Sequence, residues 1–205
     1  MYFNVNFVCI ETIVLASRNP KKAEEIQMLL GDGYHVIPQQ EFDIPSIEET
    51  GLSFEDNALL KAKNVYEIIG LPVIGDDSGL EVDALNSQPG IYSSRFAGAN
   101  ATDDDNIDKL LKDMHNIPRE KRTARFRCVV AFLGACSAQQ PVFFEGEWLG
   151  YIAKERIGKN GFGYDPVFVD LQTNLTAASF DSDQKNKISH RGKAIQSLKS
   201  YLGAS

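Results

Sequence analysis

With 205 residues, 43% of them apolar and 24% charged, the chain has the length for one large domain or two closely joined lobes and the composition of a soluble globular protein. Its 21 basic and 28 acidic side chains leave a formal charge of −7. That balance argues against sequence-independent nucleic-acid binding, which needs a basic surface, but not against a small anionic substrate met by locally clustered cations.

The apolar segment Met1–Ile10 is interrupted by Asn4 and Asn6 and has no Lys or Arg ahead of it, so it lacks the form of a signal peptide. Residues 1–11 read as an extension before the first strand, and 12–205 as one domain, since no linker or repeat divides them. Thr12 to Ala16 reads as a buried strand. Asn19 as N-cap and Pro20 in the first turn then open a helix with the apolar face Ala23, Ile26, Leu29 and Leu30, closed by Gly31 and Gly33. Tyr34 to Pro38 is a second strand. Ser53 to Ile69 is a second helix, opened by Ser53-x-x-Asp56, with Ala58, Ala62, Val65 and Ile69 as its core stripe. A short apolar run, Leu71 to Ile74, leads to an Asp76-Asp77-Ser78-Gly79 turn, and Leu80 to Leu85 is a strand beyond it. A third helix begins at Thr102, its first turn holding Asp103, Asp104 and Asp105 against the helix dipole. Two long antiparallel strands follow, Ala124 to Cys136 and Pro141 to Glu155, then a Gly-rich loop, a short strand Val167 to Val169 and a last helix Ser189 to Leu202. The pattern is α/β: a mixed sheet with helices on its faces.

Cys9, Cys128 and Cys136 are odd in number and form no Cys-x-x-Cys pair, which reads as reduced thiols in a cytoplasmic protein. His35, His115 and His190 have no zinc-ligand spacing. No apolar run approaches the ~20 residues of a membrane span, so no membrane partner is expected.

Four segments carry polar groups beyond what a fold requires. Asp76 and Asp77 follow an apolar run, where two adjacent carboxylates repel and lose hydration unless a cation or proton neutralises them; a solvated Asp-Ser-Gly turn explains them equally. Lys21 and Lys22 sit in the first turn of the first helix, behind Arg18, where the dipole disfavours cations by up to ~1 kcal/mol each. An anion held by backbone N–H groups would reverse that penalty, and a solvated basic turn would simply tolerate it. Asn57, Lys61 and Asn64 form a polar stripe on the second helix, with Glu48, Glu49 and Asp56 ahead of it. Asn160 to Pro166 combines glycines with Phe162 and Tyr164, suited either to a planar ring or to inward packing. Ser189-His190-Arg191, with Lys185 and Lys187 upstream, offers donors for a carbonyl oxygen or a phosphate, or only a helix start.

Taken in order, Ser17-Arg18-Asn19-Pro20-Lys21-Lys22, Glu48-Glu49-Thr50-Gly51, Phe54 to Ala58, Lys61-Ala62, Asp76 to Leu80, Pro89 to Ser93, Gly161 to Pro166 and Ser189-His190-Arg191 resemble the inosine triphosphate pyrophosphatase family across Thr12 to Leu202. The resemblance implies an elongated mixed sheet between two lobes, a cleft between the lobes, a homodimer, and magnesium-dependent hydrolysis of ITP, dITP and XTP to the monophosphate and pyrophosphate. It implies that Ser17, Arg18, Asn19, Pro20, Lys21 and Lys22 hold the triphosphate. Glu48 or Glu49, with Asp77, would bind Mg2+. Asp77 would accept the proton of the attacking water, with Asp76 and Lys61 beside it. Ser78 would touch substrate, as would Asn57, while Phe162, Gly163, Tyr164, Asp165, Lys185, His190 and Arg191 would surround the purine. Arg18 departs from the family, which usually has glycine there. The rival readings are another metal-dependent phosphohydrolase and a nucleotide-binding sensor without hydrolysis.

Overall fold

The computed structural model describes residues 11–134 and 140–203. Cys9 and Cys136 and nearly all of the expected extension lie outside the described residues, though Glu11 already belongs to the first strand. Strand β1 (Glu11–Leu15) leads through the Asn19-capped helix α1 (Pro20–Leu30) to β2 (Tyr34–Pro38), which lies parallel to it. Helix α2 (Phe54–Ile69) begins where the Ser53 side chain accepts from Asp56 N and ends at Gly70 in the left-handed region. It leads into β3 (Val73–Val82), parallel to β1. A two-residue strand β4 (Gln88–Pro89), the helix α3 (Asp103–Asp113) with a full capping box at Thr102, and the long strands β5 (Thr123–Leu133) and β6 (Val142–Ile152) come next. Strand β7 (Phe168–Asp170) and helices α4 (Ser182–Ile188) and α5 (His190–Gly203) complete the described chain. The strands form one sheet in the order β2-β1-β3-β5-β6-β7, with β4 beside β3. The α/β class with a mixed sheet, expected from the sequence, is borne out.

One expectation is corrected. The Asp76-Asp77-Ser78-Gly79 segment is no turn: β3 runs straight through it, paired residue for residue with β5 from Val73↔Leu133 to Val82↔Ala124. A strand accepts these polar residues because each acidic side chain finds a cation. The last helix, expected over Ser189 to Leu202, is α5; ahead of it lies α4, a helix not expected from the sequence, and the extended backbone of Ser189 separates the two. The signal for α4 was present as Asp181-x-x-Gln184, a capping box whose side chain and backbone both engage.

Successive side chains of a strand point to opposite sheet faces. On one face Ile74, Cys128 and Val130 pack under α1 and α5 with Ile26, Leu30 and Ile195. On the other Val73, Val129 and Ala131 pack under α2 with Ala58, Ala62 and Val65. A third core, built from Leu80, Val82, Phe126, Trp148, Phe168 and the apolar face of α3, lies towards the far end of β3. Between them one edge of β3 is bare. Pairing with β1 ends at Ile74 and pairing with β4 begins at Glu81, so among the described residues no strand covers that edge between them; Asp77 to Leu80 border a cleft there, with Leu80 N held by Ser93 Oγ at 2.8 Å.

Gly75 lets α2 lie directly on the sheet, because a Cβ there would collide with the Ala58 carbonyl oxygen and crowd Ala62. Gly75→Ala is expected to lower stability by about 1–3 kcal/mol, the usual cost of overpacking, or more if the helix cannot shift. Urea unfolding of the variant checks this; an unchanged midpoint would mean that α2 is not seated as described.

Candidate active site

The bare edge of β3 opens into a cleft of about 170 Å³ reached by Asn19 and Lys22 of α1, Glu49, Asp77, the Phe162–Asp165 loop, Lys185, His190 and Arg191. It lies at the carboxyl end of β1, the place where open α/β sheets gather ligands.

Because strand side chains alternate, Asp76 and Asp77 part company at once. Asp76 turns to the α1–α5 face. There Lys22 Nζ reaches Oδ1, while Arg191 Nε lies 3.2 Å from Oδ2, joined by the Ser78 hydroxyl at 2.9 Å and the Cys128 thiol at 3.2 Å. Asp77 turns to the α2 face and receives Lys61 Nζ at 2.7 Å. The two carboxylates are therefore not a pair sharing one cation; each has its own partners.

Asp76 is 1% exposed. Burial alone would raise its pKa, but Arg191 and then Lys22 outweigh burial and hold it well below the usual carboxylate range. Arg191, itself buried, is pushed the other way by Asp76 and Glu25 despite burial, and its NH1 lies 2.7 Å from Glu25. Asp77 behaves oppositely. Burial raises its pKa and prevails over Lys61, and its Oδ2 is buried without a hydrogen-bond partner. Lys61 is drawn below its ordinary value by burial but lifted further by Asp77, Glu49 and Asp76, so it stays an ammonium. It also contacts Glu49 Oε1 at 2.8 Å, and Arg95 NH1 takes Glu49 Oε2 at 2.9 Å. Against the upward push of burial, those two cations lower the Glu49 pKa.

On the other wall Lys185 pairs with the buried Asp165, whose Oδ2 also accepts from Phe162 N at 2.9 Å. That bond, with Gly161 and Gly163 in the left-handed region, folds the loop so that the Phe162 ring faces Lys21, Lys185 and Arg191 at 5.9, 5.1 and 5.7 Å. Gly163 N donates to Asp103 at 2.8 Å, and the Tyr164 hydroxyl donates to the Ser93 carbonyl at 2.8 Å. The His190 ring stacks on Phe126 at 4.7 Å and 12°, and its Nδ1 is buried without a partner. Burial, then Arg191 and Lys185, depress its pKa well below the ordinary value, so it is a neutral imidazole at pH 7.

Several expected residues take other positions. The first-turn amides of α1 are not free: Asn19 Oδ1 accepts from Lys21 N at 3.0 Å and Lys22 N at 3.4 Å. Lys22 answers Asp76, so its unfavourable place in the first turn is explained inside the protein. Ser17 Oγ accepts from Asn19 N at 3.1 Å and shapes the turn, while Arg18 and Pro20 are exposed. Glu48 is exposed and does not line the cleft; Glu49 alone of that pair does. Asn57 is fully buried and its Oδ1 accepts from Gly51 N at 2.8 Å, fixing the loop that carries Glu49 rather than facing the cleft. The sequence reading missed Phe126 and Arg95. Phe126 lies inside the strand expected over Ala124 to Cys136, and Arg95 lies two residues past the Pro89 to Ser93 motif; neither carries a local signal of its own.

Sheet order, the bare strand edge and the ammonium groups over it define a class of α/β protein that receives an anionic ligand beside a carboxylate. The sequence profile of the Ham1 family matches residues 13–201, and the chain belongs to that family. It is 46% identical over 190 residues to the dITP/XTP pyrophosphatase of Photorhabdus laumondii, covering 92% of this chain and 96% of that one. It is 48% identical over 193 residues to the dITP/XTP pyrophosphatase of Methylococcus capsulatus, covering 94% and 96%. Among solved structures, a HAM1 protein from Coxiella burnetii superposes with a TM-score of 0.86 at 45% identity, covering 96% of this chain and all (100%) of that one. The Staphylococcus aureus Ham1 protein does so at 0.83 and 42% identity, covering 95% and 99%.

Asp76→Asn would leave Arg191 buried against a neutral partner, and removing one member of a buried ion pair costs about 3–5 kcal/mol at pH 7. The sign with pH is fixed by the lowered folded pKa: the Asp76 contribution is complete above the unfolded value near ~4 and is lost as pH falls through the folded value. Urea midpoints of wild type and variant should converge below pH ~4 and differ most near neutrality; a gap independent of pH would contradict the ion network.

Proposed function

We propose that the chain hydrolyses deaminated purine nucleoside triphosphates (ITP, dITP and XTP) to the monophosphate and pyrophosphate. We further propose that it uses Mg2+ and works in the cytoplasm as a homodimer of two-lobed chains. The observation that carries the chemistry is Asp77: a buried carboxylate of raised pKa, with one unpartnered oxygen, lining a cleft among ammonium groups. The name dITP/XTP pyrophosphatase, borne by relatives that match this chain over nearly its whole length, supports the substrate class. No helix among the described residues is long and apolar enough to cross a membrane.

Glu49 and Asp77 fit a hard divalent cation. They are oxygen donors held to the same ammonium, and Asp77 Oδ2 has no partner. Among the described residues no three His, Cys, Asp or Glu form a metal cage. Magnesium does not need one, since it keeps several waters and binds through one or two carboxylates plus substrate phosphates. When bound, it would neutralise phosphate charge and favour ionisation of a bound water.

Phosphoanhydride hydrolysis depends on positioning and charge neutralisation. Asp77 Oδ2 takes a proton from water as the water oxygen bonds to the α-phosphorus and the bond to the bridging oxygen of pyrophosphate breaks. Lys61, from beside Asp77, and Lys21, from beside the Phe162 ring, are the proposed partners of the phosphate charge, while Lys22 and Arg191 hold Asp76 and line the cleft. The neutral His190 ring, flat on Phe126 with a free nitrogen, together with loop N–H groups, is the proposed reader of the 6-oxo group. Arg191, engaged by Asp76, Glu25 and Ser78, supports that reader from behind. A site organised around such bonds discriminates by up to ~10⁴-fold against an analogue that cannot make them.

Asp77→Asn should lower kcat for pyrophosphate release from ITP by about 10²-fold or more while the protein stays folded; turnover near wild type would remove Asp77 as the base. His190→Ala should narrow the preference for ITP over ATP, read from kcat/KM for both. An unchanged ratio would assign the discrimination elsewhere.

A further inference from the structure

Two cations close on one carboxylate pair in the cleft. Lys61 bridges Glu49 and Asp77, at 2.8 and 2.7 Å, and Arg95 holds the remaining Glu49 oxygen at 2.9 Å. Arg95 is in turn fixed by its guanidinium over the Tyr92 ring at 5.2 Å, on the short turn Gly90–Arg95 that crosses from the far core. The Lys61 stem is flexible by chemistry, whereas a guanidinium engaged on both a ring and a carboxylate is held in place. Two negative and two positive groups make this cluster neutral as it stands. A dication entering it would meet two unit positive charges within a few ångströms, in surroundings that are mostly buried and poorly screened.

We infer that Lys61 and Arg95 keep the Glu49–Asp77 pair closed to a divalent metal in the free protein, so that the metal enters only with a triphosphate that draws Lys61 away. The triphosphate is the one component that restores the balance, because it brings several negative charges and accepts the Lys61 ammonium in exchange for the carboxylates. Lys61 thus has two places, between the carboxylates in the free protein and on phosphate in the complex. Arg95 is a positioning residue: it keeps the Glu49 carboxylate turned towards Asp77 in both states. The metal and the triphosphate in this inference rest on the function proposed above; the ion pairs do not.

The test uses Mn2+ alone as the probe and needs no turnover. Binding of Mn2+ to the free protein, followed by the loss of its free-ion electron paramagnetic resonance signal, should be weak in wild type. It should be at least about tenfold tighter in Lys61→Met, from which one opposing charge is gone. A non-hydrolysable ITP analogue, with its own Mn2+ binding subtracted, should tighten Mn2+ binding to wild type by a larger factor than to Lys61→Met. Wild type and Lys61→Met binding Mn2+ equally well without nucleotide would overturn the inference. If Lys61→Met lacks a cooperative melting transition, Lys61→Gln, which also removes the charge but keeps a donor for the carboxylates, carries the same comparison. Because the free-protein measurement involves no nucleotide, it stands or falls separately from the substrate: failure to hydrolyse ITP would sink the proposed function and leave the metal result readable.

Discussion

Asp76 lies in the middle of β3 with almost no contact to water, and it stays ionised because Arg191 from α5 and Lys22 from α1 both reach it. Two elements distant in sequence are thereby bound to one carboxylate of a third under the floor of the cleft. Arg191 continues the chain of charge to Glu25, one turn further along α1 than Lys21, so α1 and α5 are tied at two points. A buried charge network of this kind is a poor source of stability, since desolvation consumes most of the Coulomb attraction. What it supplies is geometry. With α5 fixed at its first turn, His190 meets Phe126, and Ser189 begins the helix against β6, where Gly146 leaves room for the His190 carbonyl oxygen.

On the opposite face the same strand presents Asp77 under different terms. Asp76 is saturated with donors, whereas Asp77 has one cation and one empty oxygen, and burial raises its proton affinity instead of losing to its neighbours. The alternation of a β-strand is enough to separate a carboxylate saturated by its neighbours from the one proposed as the base at the next position. This division of labour also weighs against a sensor that binds without cleaving. A binding site would profit from satisfying both oxygens of Asp77, and this one leaves Oδ2 buried without a hydrogen-bond partner. Another phosphohydrolase would have the carboxylates but no use for Phe162 held among three cations beside a neutral histidine.

Much of this was legible in the sequence because its signals are local. Asn19-Pro20, Ser53 and Thr102 mark helix starts through capping chemistry that needs no tertiary partner, and Tyr34 to Pro38 shows its strand by composition and flanking glycine. The Asp76-Asp77 segment was misread for the opposite reason. Polar residues and glycine at successive positions signify a turn when judged locally, and only Lys22, Lys61 and Arg191, at remote positions, make them acceptable inside a strand. The same limit explains Arg95, whose role depends on Glu49, remote in sequence, and Asn57, whose Oδ1 is taken by the Gly51 N–H while its buried Nδ2 has no partner. The ordered motifs did identify the cleft, because residues from six segments that share no local logic all converge there.

With Asp77 as the base, water attacks the α-phosphorus beside it and pyrophosphate leaves as a unit. Hydrolysis of ITP in oxygen-18 water, with mass spectrometry of both products, tests this directly. The label should appear in inosine monophosphate and be absent from pyrophosphate. Label in pyrophosphate, or release of orthophosphate in its place, would put the attack on another phosphorus and contradict the assignment of the cleft.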